Sequence, residues 1–130
     1  MSTKTNAAAN ADLDAKYDGS TFYVGALTAI TNAAAGTVTE ANGGNYARQA
    51  ISFGAAAGRQ KASDDDIEFP QATVDHGNIV GWGIYSAATS GVLHHVIPLQ
   101  TPIVYNTGYQ PVIAAGDLVI SEAAWADPNA

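Results

Sequence analysis

Few residues in this sequence have the type and spacing to do chemistry, and each such group also has a simple structural reading. Asp64-Asp65-Asp66, followed by Glu68, clusters carboxylate oxygens of the kind that hard cations such as Ca²⁺ take from a flexible loop. The run lacks the alternate-position acids, the glycine and the closing glutamate of an EF-hand, so it reads as a solvated turn. His94-His95 pairs two imidazoles, the side chain most used as a transition-metal ligand and as a base near neutral pH. Consecutive residues of a strand project to opposite faces, so these two do not easily share one metal or one substrate. Each reads as a core or interface histidine, and His76 belongs to a separate turn.

An activated serine needs a histidine and an acid within reach. The sequence has no Gly-x-Ser-x-Gly elbow, and Ser52 falls mid-strand and Ser86 at a turn. Gly54-Ala55-Ala56-Ala57-Gly58-Arg59-Gln60-Lys61 has the glycines of a phosphate loop without its Gly-Lys-Ser/Thr ending or following helix, and reads as a connector. A glycan-cleaving enzyme would need converging carboxylates, and Asp75 and Asp117 are the residues such a reading would use. Six Tyr and two Trp would supply stacking platforms for sugars, but a β core needs as many. The residues therefore assign no catalytic group, no cofactor and no metal.

The elements that must position these residues are bounded by composition. At 130 residues the chain is most simply one domain with a sizeable core. Its apolar fraction of 47% is ordinary, whereas 13% charged residues is about half the usual share for soluble domains. The surface must then be built largely of Ser, Thr, Asn, Gln, Gly and Ala, as in chains that pack against other subunits. A net charge of −7 with five Lys and Arg argues against nucleic acid as a partner. There is no cysteine, no apolar run of the roughly 18 residues that a membrane span needs, and no apolar signal core after Met1. The reading is of a chain made in the cytoplasm with no membrane partner.

Residues 1–16 read as an N-terminal arm, Ala-rich with Leu13 its only large apolar residue, either frayed or ordered against a neighbouring subunit. Residues 17–130 read as one β domain. Phe22, Val24 and Ala26 alternate in a first strand over Thr21 to Thr28; Ile30 to Asn45 reads as a long surface loop; and Tyr46 to Phe53 is a strand. Ile67-Glu68-Phe69, Ile103-Val104-Tyr105, Tyr109 to Ile113 and Leu118-Val119-Ile120 are further short strands, and Trp125 is read as an anchor for the tail. The strongest signal is a hairpin, Asn78 to Ser86 and Val92 to Leu99 around Ala88-Thr89-Ser90-Gly91, with Trp82 facing Ile97, Ile84 facing His95 and Val80 facing Leu99. Gly81 and Gly83 then form an open lane beside Tyr85, where another backbone or a bulky ring should come close. About eight short strands with turns between them predict an all-β fold, a single-domain sandwich or flattened barrel. The predicted core is Phe22, Val24, Ile51, Phe53, Trp82, Ile84, Ile97, Leu118 and Ile120.

Several ordered stretches resemble a family of small tailed-bacteriophage structural proteins, labelled tail-fibre-like and in some members assigned as head decoration or cement proteins. They are Gly43-Gly44-Asn45-Tyr46-Ala47-Arg48-Gln49-Ala50 with Phe53-Gly54-Ala55, Ile67 to Thr73, Gly83 to Gly91 with Leu93, and Ala114-Ala115-Gly116-Asp117-Leu118. The sequence departs from the family in its Ala/Asn-rich arm, where a long amphipathic helix is common, and in His94-His95, where larger apolar residues are usual. The resemblance implies a non-enzymatic virion protein and leaves head and tail both open. The reading is of a decoration protein on the outer surface of the capsid, bound to the major capsid protein as an oligomer, for which the family implies a homotrimer. Tyr46, Arg48, Gln49, Gly81, Gly83 and Tyr85 are its expected subunit contacts. A tail-fibre or receptor-binding module that recognises host glycans is the alternative.

Overall fold

The computed structural model describes residues 5–121. In chain order its elements are α1 (Asn6–Asp18), β1 (Phe22–Asn32), β2 (Thr37–Glu40), β3 (Gln49–Ile51), β4 (Gln60–Ala62), β5 (Ile67–Glu68), β6 (Asn78–Tyr85), β7 (Leu93–Val104), β8 (Val112–Ile113) and β9 (Val119–Ser121). This is the predicted all-β fold with one short helix. The main sheet runs β2-β1-β6-β7, with β3 also on β1, and β4-β9 and β5-β8 form two smaller antiparallel pairs. Among the described residues no sheet closes into a barrel, and no helix is long and apolar enough to cross a membrane.

The central hairpin forms as its alternation predicts, with Trp82 facing Ile97 and Ile84 facing His95. The third expected pair, Val80 with Leu99, is not made. Gly81 faces Pro98, and then the register shifts so that Ile79 faces Ile103. The segment of β7 between these two registers holds Pro102, which has no N–H to donate. The bulge places Ile79 opposite an isoleucine where an unbroken register would give Gln100.

Beyond the bulge the two segments stay side by side. The Tyr105 N–H donates to the Gly77 carbonyl at 2.8 Å, the Ala72 N–H to Tyr109 at 2.9 Å and the Phe69 N–H to Pro111 at 3.0 Å. β5 and β8 continue the ribbon with Ile67 facing Ile113. Ile103 and Val104 thus belong to β7, and only Val112 and Ile113 of the predicted Tyr109 to Ile113 strand pair regularly.

The stretch from Ile30 to Asn45, expected as a long loop, is partly sheet. β1 runs on to Asn32 and β2 returns along it, with Ile30 facing Val38. Between them Asn32 Oδ1 accepts the Ala35 N–H at 3.1 Å, and Gly36 takes φ +71°. A short polar side chain closing the turn and a glycine in the left-handed region are the devices such a reversal needs. Thr and Ala carry most of this strand pair, so the large apolar residues that mark a strand are missing.

The predicted core is largely observed. Phe22, Val24, Ile51, Trp82, Ile84, Leu118 and Ile120 are buried, and Phe53 and Ile97 pack at its margin. Leu27, Phe69, Ile79 and Tyr105 complete it. Phe69 stacks on Trp82 with ring centroids 5.4 Å apart, and the Tyr105 hydroxyl donates to the Pro70 carbonyl at 2.8 Å. The segment carrying Trp125 lies outside the described residues.

α1 is where the structure differs most from the reading of an arm, because it docks on its own β domain. Thr5 caps it, its hydroxyl oxygen accepting the Ala8 N–H at 3.2 Å. Ala9, Leu13 and Tyr17, one turn apart, are buried. Beside them runs a polar stripe, Asn6, Asn10, Asp14 and Asp18. Asn6 and Asn10 accept from the Arg59 Nε and backbone N–H at 2.7 and 2.9 Å. Asp14 Oδ1 accepts from the Ala56 N–H at 2.9 Å and from Lys61 Nζ at 2.6 Å, and Asp18 pairs with Lys61 at 3.0 Å. The docking face is half polar, so the sequence offers no broad apolar stripe.

What α1 grips is the expected connector, which forms a tight turn. Ala57 and Gln60 exchange backbone hydrogen bonds at 2.9 and 3.0 Å, with Gly58 at φ +59° and Arg59 at φ +63°. Two successive positive φ values fit the twist of paired strands, and Asn6 and Asn10 hold the arginine there.

Candidate functional site

Tyr46, Arg48 and Tyr85, three of the residues expected at subunit contacts, converge on Glu40 at the end of β2. After Glu40 the chain returns over β1, the Ala41 N–H donating to Ala26 at 2.8 Å, and reverses at Gly43 and Gly44 with φ +93° and +58°. This brings Tyr46 and Arg48 back beside Glu40. Arg48 Nε and Nη2 donate to the two Glu40 oxygens at 2.9 and 2.8 Å. Its Nη1 donates to the carbonyls of Ala87 and Ser90 at 2.9 and 2.7 Å. The guanidinium lies 3.5 Å over the Tyr85 ring, a cation–π contact that only a flat cation makes over its whole face. The Tyr46 hydroxyl donates to Glu40 Oε2 at 2.5 Å and accepts the Ala26 N–H at 2.9 Å.

Burial first, and then the bond to Glu40, push the Tyr46 phenol far above its ordinary value. Burial likewise raises Tyr85, with Glu40 adding to it. The bond to Glu40 raises Arg48 further above its already high value. Glu40 accepts three hydrogen bonds and Arg48 uses most of its donors, so the group works as a lock. It ties β2, the returning segment and the Ala87–Ser90 turn together. Gly25 makes room for it: a Cβ there would lie 2.6 Å from Glu40 Oε2 and 3.1 Å from the Tyr46 hydroxyl. In front of the lock is an open cleft of about 290 Å³, with Asn42, Ala47, Thr89 and Ser90 in its walls.

The lane along Gly81 and Gly83 is not open, which corrects the reading from sequence. A Cβ on Gly83 would meet Tyr85 Cε2 at 2.8 Å and Leu93 at 3.1 Å, and one on Gly81 would meet Ile30 at 2.6 Å and the Ile97 carbonyl at 2.8 Å. The bulky ring that the glycines admit is the chain's own Tyr85. Gln49 folds back locally, its Nε2 donating to the Ala47 carbonyl at 2.9 Å.

The other groups singled out by chemistry are dispersed. Asp66 accepts the Ala115 N–H at 2.8 Å, and Asp75 accepts the Thr107 N–H at 2.9 Å, a bond that holds its carboxyl below the ordinary value. Asp117 is exposed in a turn closed by its N–H to Ala114. His94 packs edge-on against Phe22 at 5.3 Å and His95 against Tyr17 at 5.8 Å. Burial, and then the Lys16 charge, lower both imidazoles from their ordinary value, which favours their neutral forms. His76 lies against Tyr105 at 4.7 Å, in a different cluster. Ser86 closes the hairpin loop, its Oγ accepting the Val92 N–H at 2.8 Å, and Ser52 is exposed beside β3. Among the described residues no three His, Cys, Asp or Glu are grouped to hold a metal ion.

Glu40 is the residue that sequence reasoning missed, because it sat in a segment read as loop. One signal pointed to it. In a chain with only five Lys and Arg, an arginine placed between Tyr46 and a buried strand needs a carboxylate, and Glu40 is the nearest acid before it.

No curated protein matches the chain. A family model does match, that of the podophage GP4 fiber I protein gp80, over residues 4–121. The match covers the helix, the lock and every strand, and it agrees with the resemblance to tailed-phage structural proteins. The chain belongs to the podophage GP4 fiber I protein gp80 family, a family of phage structural proteins.

Proposed function

We propose that this virion protein is a non-enzymatic decoration protein, which binds the major capsid protein on the outside of the phage head as a homotrimer and cements it. The observation that carries the reading is where the charges go. Arg48 and Lys61 are spent on Glu40, Asp14 and Asp18 inside the chain. Among the described residues the outer surface keeps small neutral side chains and exposed Val92, Val104, Tyr109 and Val112, and unpaired cations are scarce on it, while carboxylates such as Asp64, Asp65, Asp75 and Asp117 stay exposed. Such a surface suits broad contact of neutral and apolar side chains, and a standard interface needs roughly 1,200 to 2,000 Å² in total. Three linked subunits raise the effective concentration of each contact, so modest individual contacts give durable attachment. The trimer itself rests on the resemblance to decoration proteins. In it, Tyr46, Arg48 and Tyr85 stiffen the contact surface from behind, and the Ala87–Ser90 turn that they hold presents it.

A second reading, a fibre component that recognises host glycans, is favoured by the family's description as a fiber protein. Cryo-electron microscopy of intact particles separates the two. Density for this fold around the head exterior, and heads that release DNA at lower temperature when the protein is missing, are expected. Density confined to the tail, or heads equally robust without it, would overturn the decoration role.

A further inference from the structure

Asn42-Gly43 is the one Asn-Gly step in the sequence, and it lies exposed at the reversal that carries the chain back to the lock. We propose that Asn42 is a site of spontaneous modification, converted through a succinimide to isoaspartate and aspartate, and that the conversion loosens the lock.

The reaction needs only water. The Gly43 backbone nitrogen loses its proton to solvent base and attacks the side-chain carbonyl carbon of Asn42. The new C–N bond closes a five-membered ring, the Cγ–Nδ2 bond breaks, and Nδ2 leaves as ammonia after taking a proton from water. Water then adds to one of the two ring carbonyls, and the bond from that carbonyl to nitrogen breaks. Opening at Cγ gives aspartate. Opening at the main-chain carbonyl of Asn42 gives isoaspartate, in which the backbone runs through the side-chain methylene and is longer by that group.

Two features single this site out. The attacking group is open to approach, since a Cβ on Gly43 would meet nothing within 4 Å and the residue has no side chain to hinder the ring closure. The reacting groups are also untied: among the described residues neither the Gly43 N–H nor the Asn42 side chain has a hydrogen-bond partner, so none has to break. The other described asparagines differ. Asn6, Asn10, Asn32 and Asn106 accept through Oδ1, and Asn45 donates from Nδ2. Asn78 lies in β6, ahead of the β-branched Ile79.

The consequence follows from the anchors on either side. The Ala41 N–H bonds to Ala26 at 2.8 Å, the Tyr46 N–H to the Gly43 carbonyl at 3.2 Å, and Asn45 Nδ2 to the Gln71 carbonyl at 2.7 Å. Gly44 is hemmed in, a Cβ there lying 2.7 Å from Thr73 Oγ1. A reversal held this closely absorbs an added methylene by shifting Tyr46 and Arg48. The new carboxylate also stands in the same cleft wall as Glu40, where it repels that group and competes for Arg48.

The inference concerns the chain's own chemistry and stands whether the protein decorates a head or belongs to a fibre. The test is to hold the folded full-length protein for days at mildly alkaline pH, beside a sample unfolded in urea, and to map both by mass spectrometry with peptide fragmentation. Residue 42 should gain the mass of an amide turned acid, mostly as isoaspartate, while Asn6, Asn10, Asn32, Asn45 and Asn106 of the folded sample stay intact. An exposed loop opens at little cost in free energy, so the folded rate should lie within about tenfold of the rate in urea. Asn42→Gln should block the reaction, because its longer side chain does not close the five-membered ring. Amide exchange over Ala87–Ser90 should accelerate in aged wild type and stay unchanged in Asn42→Gln aged alike. Residue 42 intact in the folded sample after it has reacted in urea would overturn the site. Converted protein with unchanged exchange in the turn would overturn its link to the lock.

Discussion

Lys61 Nζ lies 2.6 Å from Asp14 Oδ1, and the lysine side chain is wholly buried while that of the aspartate is 40% exposed. The pair is asymmetric: the carboxylate has water to fall back on and the ammonium has none. Replacing Asp14 and Asp18 together by Asn should lower the midpoint of urea unfolding, because it strands the buried ammonium, although the amide oxygens and the Gly54 carbonyl still accept. Adding Lys61→Met to that double variant should recover most of the loss, since a thioether needs no counter-charge. A double variant as stable as wild type would show that Lys61 does not hold α1.

The same contact sets a pH dependence. The bond from Lys61, with that from the Ala56 N–H, holds the Asp14 carboxyl below its ordinary 3.8. A depressed carboxyl contributes stability above its unfolded value and loses it as pH falls through the folded one. For Lys61, burial pulls the amine down, but the bonds to Asp14 and Asp18 outweigh it and leave it above 10.5. Its contribution is present below 10.5 and lost as pH rises through the folded value. Hydrogen exchange at falling pH should therefore show α1 losing protection below 3.8 before β6 does. Simultaneous loss in both elements would count against a local release.

Tyr46→Phe removes a donor to Glu40 and leaves the Ala26 N–H without its acceptor, so it should destabilise the fold by about 1 to 3 kcal/mol. Arg48→Lys cannot reproduce the fork on Glu40 together with the stacking on Tyr85 and the two carbonyl bonds. Amide exchange over Ala87–Ser90 should accelerate in that variant while β6 stays protected. Unchanged exchange in the turn would mean that the lock does not organise it.

Glycine replacements should rank by what their new methyl group meets. Gly81→Ala sets a Cβ 2.8 Å from the Ile97 carbonyl, which is backbone and cannot swing away. Overpacking of this kind costs about 1 to 3 kcal/mol. Gly54→Ala meets nothing closer than 3.8 Å and has no positive φ, so it should be close to neutral. Thermal melts of the two variants test the order, and equal stabilities would refute the close packing assigned to the lane.

The parts of the fold legible in the sequence were those built from large apolar side chains at period two. Trp82, Ile84 and Ile97 gave the hairpin and most of its register, and Phe22 and Val24 gave β1. Where the structure rests on polar or small residues, the pattern was silent. α1 is held by Asn6, Asn10, Asp14 and Asp18 as much as by Leu13, and β2 is made of Thr, Val and Glu. Within the site, Tyr46, Arg48 and Tyr85 were singled out as a group, but their common partner, Glu40, was not, because it lay in a stretch without apolar signal.

Among the described residues β7 is the outermost strand of the main sheet, and it is twelve residues long. A free edge of that length is a template on which a second copy could add a strand, and then a third. Pro98 and Pro102, neither of which has an N–H to donate, lie along it, and the register shifts beside Pro98. Two copies meeting along this edge find a broken row of donors and no continuous register to share. An edge of this kind disfavours polymerisation of the chain through its own sheet.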